Sequence, residues 1–252
     1  MTNEAADAAT DLEPPPPLPE NLKTLVPVTW QPRRYQSDAL LALQGGTKRA
    51  VLVWHRRAGK DLFLLNWTIE SAMAHPGVYW HVFPTARQGR KIVWDGLTAD
   101  GRTFLSYWPK DNVVARNDAE MKLKLTNNAV WQVVGSENFE EALIGGNPAG
   151  IVLSEYALQK PSCWNYLRPI LAENGGWAAF AFTPRGRNHG HALYEMARSN
   201  PGWFAQRLGV RDTGAISPEA VEAERAAGMP GELIEQEFDC SFDAAIVGTF
   251  YG

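Results

Sequence analysis

Cysteine is almost absent from this chain of 252 residues. Cys163 and Cys240 stand alone, with no second Cys or His at ligand spacing beside either, so the sequence offers neither a zinc site nor a disulfide framework. Long apolar runs are missing too. The longest are strand-sized, against the roughly 20 residues that a bilayer-spanning helix needs. The N-terminus is acidic and proline-rich where a secretory leader would be basic and then apolar. No membrane is implied, and an intracellular protein is expected. Net positive charge is the third absence: at −4 the chain lacks the bulk signature of a nucleic-acid-binding domain. Nucleic acid would have to be met by local patches, and the candidates are Arg33-Arg34, Lys48-Arg49, Arg56-Arg57, the run 87–91, and Arg185 and Arg187 with His189 and His191.

What is present is the composition of an ordinary globular protein, 45% apolar and 21% charged, in a length that suits one sizeable α/β domain or two small ones. Residues 1–24 are acidic and alanine-rich, with Pro14-Pro15-Pro16-Pro17; they cannot bury apolar surface and are expected to form a disordered tail. Residues 25–212 read as the core. Apolar runs at 51–54, 78–83, 150–153 and 177–182 predict buried strands, and 122–125 with 129–134 around Thr126-Asn127-Asn128 predicts a β-hairpin. Between them lie helix signals at 37–43, closed by Gly45-Gly46, at 62–73, and from Pro84-Thr85 through Leu97. A further segment, rich in Trp164, Leu167 and Leu171, ends at Asn174-Gly175-Gly176 in good C-cap chemistry. Such alternation indicates βαβ units and a mostly parallel sheet, with the ligand at the carboxyl ends of the strands. Residues 213–252 differ. Ser217-Pro218-Glu219 starts a capped helix and 232–238 suggests another, so this part reads as a helical lid or linker. The terminal run 247–252 is strand-like without an ending, as expected of a fragment of a longer protein.

The rest of the chain is organised around Val51-Leu52-Val53-Trp54-His55-Arg56-Arg57-Ala58-Gly59-Lys60-Asp61. Strand, tight basic loop and helix N-terminus in that order make an anion site: the loop N–H groups and the helix dipole point at one place, and a lysine adds a full charge. A nucleoside triphosphate is the natural ligand. Against the pattern G-x-x-x-x-G-K-[ST] two positions depart, Trp54 standing for the first glycine and Asp61 for the magnesium-binding hydroxyl. The bland alternative is a strand-to-helix turn in which Gly59 only makes the bend and Lys60 is solvated.

Hydrolysis of a triphosphate needs a phosphate cradle, a metal ion, a carboxylate that orients the attacking water, and positive charge for the transition state. Glu155, at the tip of the apolar strand 150–153 and after Ser154, is the natural water-orienting carboxylate; the alternative is an ordinary helix-cap acid. Arg56 and Arg57 are placed to stabilise charge from within the same chain. Tyr35-Gln36, upstream of the loop, suits a ring and an amide that stack on and hydrogen-bond to adenine, or else a plain surface turn. Thr183 follows strand 177–182 closely enough to sense a γ-phosphate. Lys60, Thr85, Glu155 and Thr183 all fall just beyond strand ends.

Taken in order, Pro32-Arg33-Arg34-Tyr35-Gln36, the loop 55–61, Pro84-Thr85 with Gln88, the strand ending in Glu155, and Phe182-Thr183-Pro184 resemble the ATPase domain of the large terminase subunit of tailed bacteriophages, over roughly residues 25–250. The resemblance implies a helicase-like, RecA-type P-loop NTPase using ATP and Mg2+. Its function would be to drive double-stranded DNA into a procapsid in the host cell cytoplasm, as a homo-oligomeric ring on the portal protein with the small terminase subunit as a partner. In isolation the chain would be largely monomeric. A nuclease domain of RNase H type follows in that family and is not expected here. Position by position, Gln36 becomes an adenine contact, Lys60 the phosphate lysine, Glu155 the catalytic glutamate, and Thr183 the residue coupling hydrolysis to motion. The cofactor-binding set is Tyr35, Gln36, His55, Arg56, Arg57, Ala58, Gly59, Lys60 and Asp61.

Three departures from the family pattern matter. Asp61 replaces Ser/Thr, and Ser154 replaces the usual Asp before the glutamate. Leu143-Ile144-Gly145 stands where many relatives carry an Arg-Gly pair, which leaves the arginine role to Arg56 or Arg57 in cis. The first two departures suggest a reciprocal exchange, in which the loop supplies magnesium's carboxylate, Asp61, and the strand its hydroxyl, Ser154; otherwise Asp61 merely caps the helix. Two other readings stand beside the packaging motor. A helicase or chromatin-type ATPase would require a second RecA-like domain, and a nucleotide-binding scaffold would have lost hydrolysis.

Overall fold

The computed structural model describes residues 30–142 and 145–244; the expected tail 1–24, the run 247–252 and the pair Leu143-Ile144 lie outside the described residues. The chain opens with α1 (Ser37–Gln44), β1 (Arg49–Trp54), α2 (Lys60–Ala74) and β2 (Val78–Phe83). A short α3 (Ala86–Gly89) is continued by a π-helical turn at Arg90–Trp94. Three strands follow, β3 (Val113–Asn117), β4 (Lys122–Leu125) and β5 (Val130–Gly135), and then α4 (Phe139–Ala142), β6 (Pro148–Ser154), α5 (Pro161–Asn174) and β7 (Trp177–Phe182). The last elements are α6 (His189–Arg198), β8 (Phe204–Leu208), α7 (Val210–Thr213), α8 (Pro218–Ala226) and α9 (Gly231–Glu237).

One sheet holds all eight strands in the order β3-β4-β5-β2-β6-β7-β1-β8. From β5 to β8 every pairing is parallel, and β4 and β3 add an antiparallel edge. This is the mostly parallel α/β sheet that the alternating segments predict. Strand residues divide by parity. Ala50, Leu52 and Trp54 pack with Leu40, Leu43, Phe63 and Leu64 of α1 and α2, whereas Val51 and Val53 pack with Leu167, Leu171, Leu193 and Tyr194 of α5 and α6. Burial on both faces is why β1 and β7 read as unbroken apolar runs rather than as alternating ones.

Two local expectations are corrected. The helix expected through Leu97 stops at Trp94, because the chain turns too tightly at Gly96: a Cβ there would lie 1.9 Å from the Ile92 carbonyl oxygen. The turn lets Trp94 stack on Trp131 at 5.9 Å, beside Trp108. The expected hairpin is real but gains a third strand, β3, whose exposed residues carry no burial pattern to read.

The C-terminal segment returns to the sheet. Ile234 and Phe238 cluster with Val210, while Cys240 and Phe242 enter the core on the α5 and α6 face. Two backbone bonds fix its position: the Val210 N–H donates to Phe238 O at 2.7 Å and the Arg56 N–H to Glu237 O at 2.9 Å. Among the described residues no helix is long and apolar enough to cross a membrane.

Candidate nucleotide site

The loop between β1 and α2 starts one residue later than the glycine pattern suggests. Trp54 is still strand: it is fully buried, its indole N–H donates to Gln206 Oε1 at 3.1 Å, and its ring packs on Phe63 at 5.3 Å. A side chain therefore fits where the common pattern has glycine. The turn itself uses two left-handed residues, Arg57 at φ 69° and Gly59 at φ 75°. Only Gly59 adopts this conformation without a steric cost, which is about 1–2 kcal/mol for Arg57. The N–H groups of Arg57, Gly59, Lys60 and Asp61 donate to no acceptor among the described residues, so the turn and the first turn of α2 present a nest of free donors.

Lys60 is 7% exposed and folded back under this nest, where its Nζ donates to Trp54 O at 3.0 Å, His55 O at 3.2 Å and Thr183 Oγ1 at 3.1 Å. Lys60 and Thr183, expected to bind phosphate and to couple hydrolysis to motion, are thus in direct contact across the β1–β7 pair. Thr183 is itself buried and bonds Trp54 O at 3.3 Å. Tyr35 and Gln36 reach the same loop. The Tyr35 hydroxyl and the Gln36 amide both donate to Ala58 O, at 3.0 and 3.2 Å, and Gln36 Oε1 accepts the Arg33 N–H. The amide proposed to read adenine is therefore also a brace on the loop. His55 is fully buried behind it: Nδ1 faces only the carbonyl oxygen of Arg56, and Nε2 lies 2.6 Å from Thr213 Oγ1.

The two substituted positions meet. The Ser154 hydroxyl, at the end of β6, hydrogen-bonds the carboxylate of Asp61 in the first turn of α2. His81 of β2 lies beneath them, fully buried and stacked on Phe83, with Nε2 3.5 Å from Asp61 Oδ1. Burial pushes the Asp61 carboxyl up, but His81, Ser154 and Lys60 more than offset this and hold it below the usual carboxylate range. His81 was missed at the sequence level, although one polar residue inside the run Val78-Tyr79-Trp80-His81-Val82-Phe83 was its signal.

Glu155 follows Ser154 in a left-handed conformation, φ 52°, ψ 41°. A non-glycine residue held there stores strain of the kind that collects at functional sites. Its carboxyl has no hydrogen-bond partner among the described residues, and burial raises its pKa against the opposing charge of Lys60. Beyond Thr183, Arg185 bonds the buried Glu237 of α9, which also faces Arg56 at 3.7 Å. Arg57 is exposed, with no ion pair among the described residues. From the sequence Arg185 was singled out only within a basic patch, and Glu237, on an ordinary helix face, was not singled out at all.

No protein-family model matches this sequence, and no curated protein is similar to it in sequence. Solved structures do match. The large terminase ATPase domain of Thermus phage P74-26 superposes with a TM-score of 0.68 at 21% identity, covering 84% of this chain and 94% of that one. The large terminase of another thermophilic bacteriophage, solved with ADP, gives 0.66 at 14% identity over 84% of this chain and 54% of that one. The same terminase solved with ATP-γ-S gives 0.65 at 14% identity, covering 84% and 53%. At these identities the likeness is one of fold: the chain has the fold of phage large-terminase ATPase domains, an α/β P-loop NTPase fold.

Proposed function

We propose that this chain is the ATPase motor domain of a viral large terminase, coupling ATP hydrolysis to translocation of double-stranded DNA into a procapsid. The observation that carries the reading is the convergence of Lys60, Thr183, Asp61, Ser154 and Glu155 at the carboxyl ends of β1, β7 and β6, around a turn in which the N–H groups of Arg57, Gly59, Lys60 and Asp61 donate to no acceptor among the described residues. Phosphates are held by the amides of Arg57, Gly59, Lys60 and Asp61 and by the Lys60 side chain, whose three oxygen partners are exchanged for phosphate oxygens on binding. Tyr35 and Gln36 bound the base end. Glu155, its pKa raised and its carboxyl unpartnered, orients and deprotonates the attacking water. Arg56 and Arg57 add positive charge in cis.

The chemistry of the donors fits magnesium, since Asp61 and Ser154 put one carboxylate and one hydroxyl, both hard oxygen donors, in contact at the head of α2. When bound, the ion supplies neutralisation of the charge that develops on the phosphoryl oxygens. Thr183, touching Lys60, passes the state of the phosphate end to β7 and onward. Double-stranded DNA, the portal, the small terminase subunit and neighbouring copies in a ring are the partners this reading implies; alone, the chain is a monomer in the host cytoplasm.

Steady-state ATP hydrolysis with and without duplex DNA tests the reading. Hydrolysis is expected in the wild type, with Lys60→Ala losing both nucleotide affinity and turnover. Wild-type turnover retained in Lys60→Ala, or no nucleotide binding by the wild-type chain, contradicts it.

A further inference from the structure

One charged cluster beside the phosphate loop contains two residues, Glu237 and Arg185, that none of these steps uses. Glu237, its side chain 7% exposed, closes α9 and faces two guanidinium groups. Arg185 hydrogen-bonds its Oε1, and Arg56 Nη1 lies 3.7 Å from its Oε2. Gln236 Nε2 donates to Oε1 at 3.3 Å, and the backbone carbonyl of Glu237 takes the Arg56 N–H at 2.9 Å. The two arginines come from either side of the phosphate site. Arg56 belongs to the loop, and Arg185 stands two residues beyond Thr183, whose hydroxyl touches Lys60. An anion with paired oxygens held by two guanidinium groups is also what a terminal phosphoryl group would present to the same donors.

We propose that Glu237 is an internal stand-in for the terminal phosphoryl group of a nucleoside triphosphate, and that Arg185 distinguishes triphosphate from diphosphate by changing partner from Glu237 to that group. The inference rests on the nucleotide reading of the site. A diphosphate is retained by the loop amides and Lys60. The additional phosphoryl group of a triphosphate extends past Lys60 toward Thr183 and Arg185, and with more charge and more acceptor oxygens than a carboxylate it takes the guanidinium. Glu237 would then be a buried carboxylate stripped of its main partner, which is costly. The end of α9 moves so that the carboxylate reaches water, and the bonds from the Arg56 and Val210 N–H groups to Glu237 and Phe238 carbonyls loosen with it. Because the two contacts exclude one another, the coupling is reciprocal: as much as Glu237 weakens triphosphate binding, triphosphate weakens the docking of α9. A purely structural ion pair would instead stay in place with either nucleotide.

The test is calorimetric binding of ATPγS and of ADP to the 252-residue wild type, Glu237→Gln, Arg185→Ala and the double variant, beside hydrogen exchange of the wild type in each complex. Glu237→Gln is expected to tighten ATPγS by about fivefold to tenfold while leaving ADP within about twofold. Arg185→Ala should weaken ATPγS by about tenfold with ADP little changed, and in the double variant the Gln substitution should no longer tighten anything. The amides of Arg56 and Val210 should exchange faster with ATPγS than with ADP. A Glu237→Gln effect that is absent, or equal for both nucleotides, overturns the proposal, as does equal exchange in the two complexes; the exchange comparison decides alone should Glu237→Gln not fold. Wild-type chain that binds neither nucleotide overturns the nucleotide reading and this inference with it, whereas binding of both with no discrimination by Arg185 overturns only the inference.

Discussion

Asp61 and Ser154 show how a departure from a motif carries information when two departures are read together. Each alone weakens the pattern, but the structure brings the carboxylate and the hydroxyl into contact, which supports the proposed exchange of ligand positions. The expected outcome is that Asp61→Ala raises the magnesium concentration needed for half-maximal hydrolysis about tenfold or more, with only a small change in melting temperature. Asp61→Ser combined with Ser154→Asp should recover turnover that each single change loses; a double variant no better than the worse single one contradicts the exchange. His55 makes a prediction of a different kind. Burial, its largest cause, lowers its pKa from the usual 6.5 despite the helpful carbonyl of Arg56. The unfolded chain therefore binds a proton on His55 at a pH where the folded chain does not. Its share of stability is complete above pH 6.5 and is lost as pH falls from there toward the folded value, by up to about 1.4 kcal/mol per pH unit. Thermal melts of wild type and His55→Gln from pH 7.5 down to 5 should show the steeper loss in the wild type, and parallel curves would contradict it.

At the scale of elements, what could be read from the sequence was what burial writes into it. Strands enclosed on both faces, such as β1 and β7, appear as continuous apolar runs, and α5 ends at a glycine in the left-handed conformation, Gly175 at φ 71°. β3 was illegible because it is exposed along nearly its whole length, and the π turn after α3 because the contact it serves, Trp94 stacked on Trp131, is tertiary. The docking of α9 was illegible for a similar reason, since its decisive bonds run from backbone groups and from arginines far away in the chain. β6, which ends in Ser154 just before Glu155, is positioned by a contact that composition does not reveal. The ring of Trp177 lies against Gly150, where a Cβ would come within 2.3 Å of it. Gly150→Ala should therefore cost about 1–3 kcal/mol, read as a lowered denaturation midpoint, with a fall in turnover as the end of β6 shifts. Unchanged stability would show that the Trp177 ring gives way freely.

At the scale of the whole molecule, an eight-stranded sheet brings residues from the ends of three parallel strands and the head of one helix to a single site. Under the proposed function, a net charge of −4 would leave DNA to local basic patches and to neighbours in an assembly, and turnover by the chain alone would then be low. Binding and the chemical step must be separated. The most direct measurement is single-turnover hydrolysis of ATP, with protein in excess, by wild type and Glu155→Gln, alongside their nucleotide affinities. The account predicts affinities within about threefold of each other and a rate constant lowered about 100-fold or more in Glu155→Gln, the loss expected when a positioned general base is removed. A Glu155→Gln rate close to wild type, with the nucleotide still bound, would contradict the central claim.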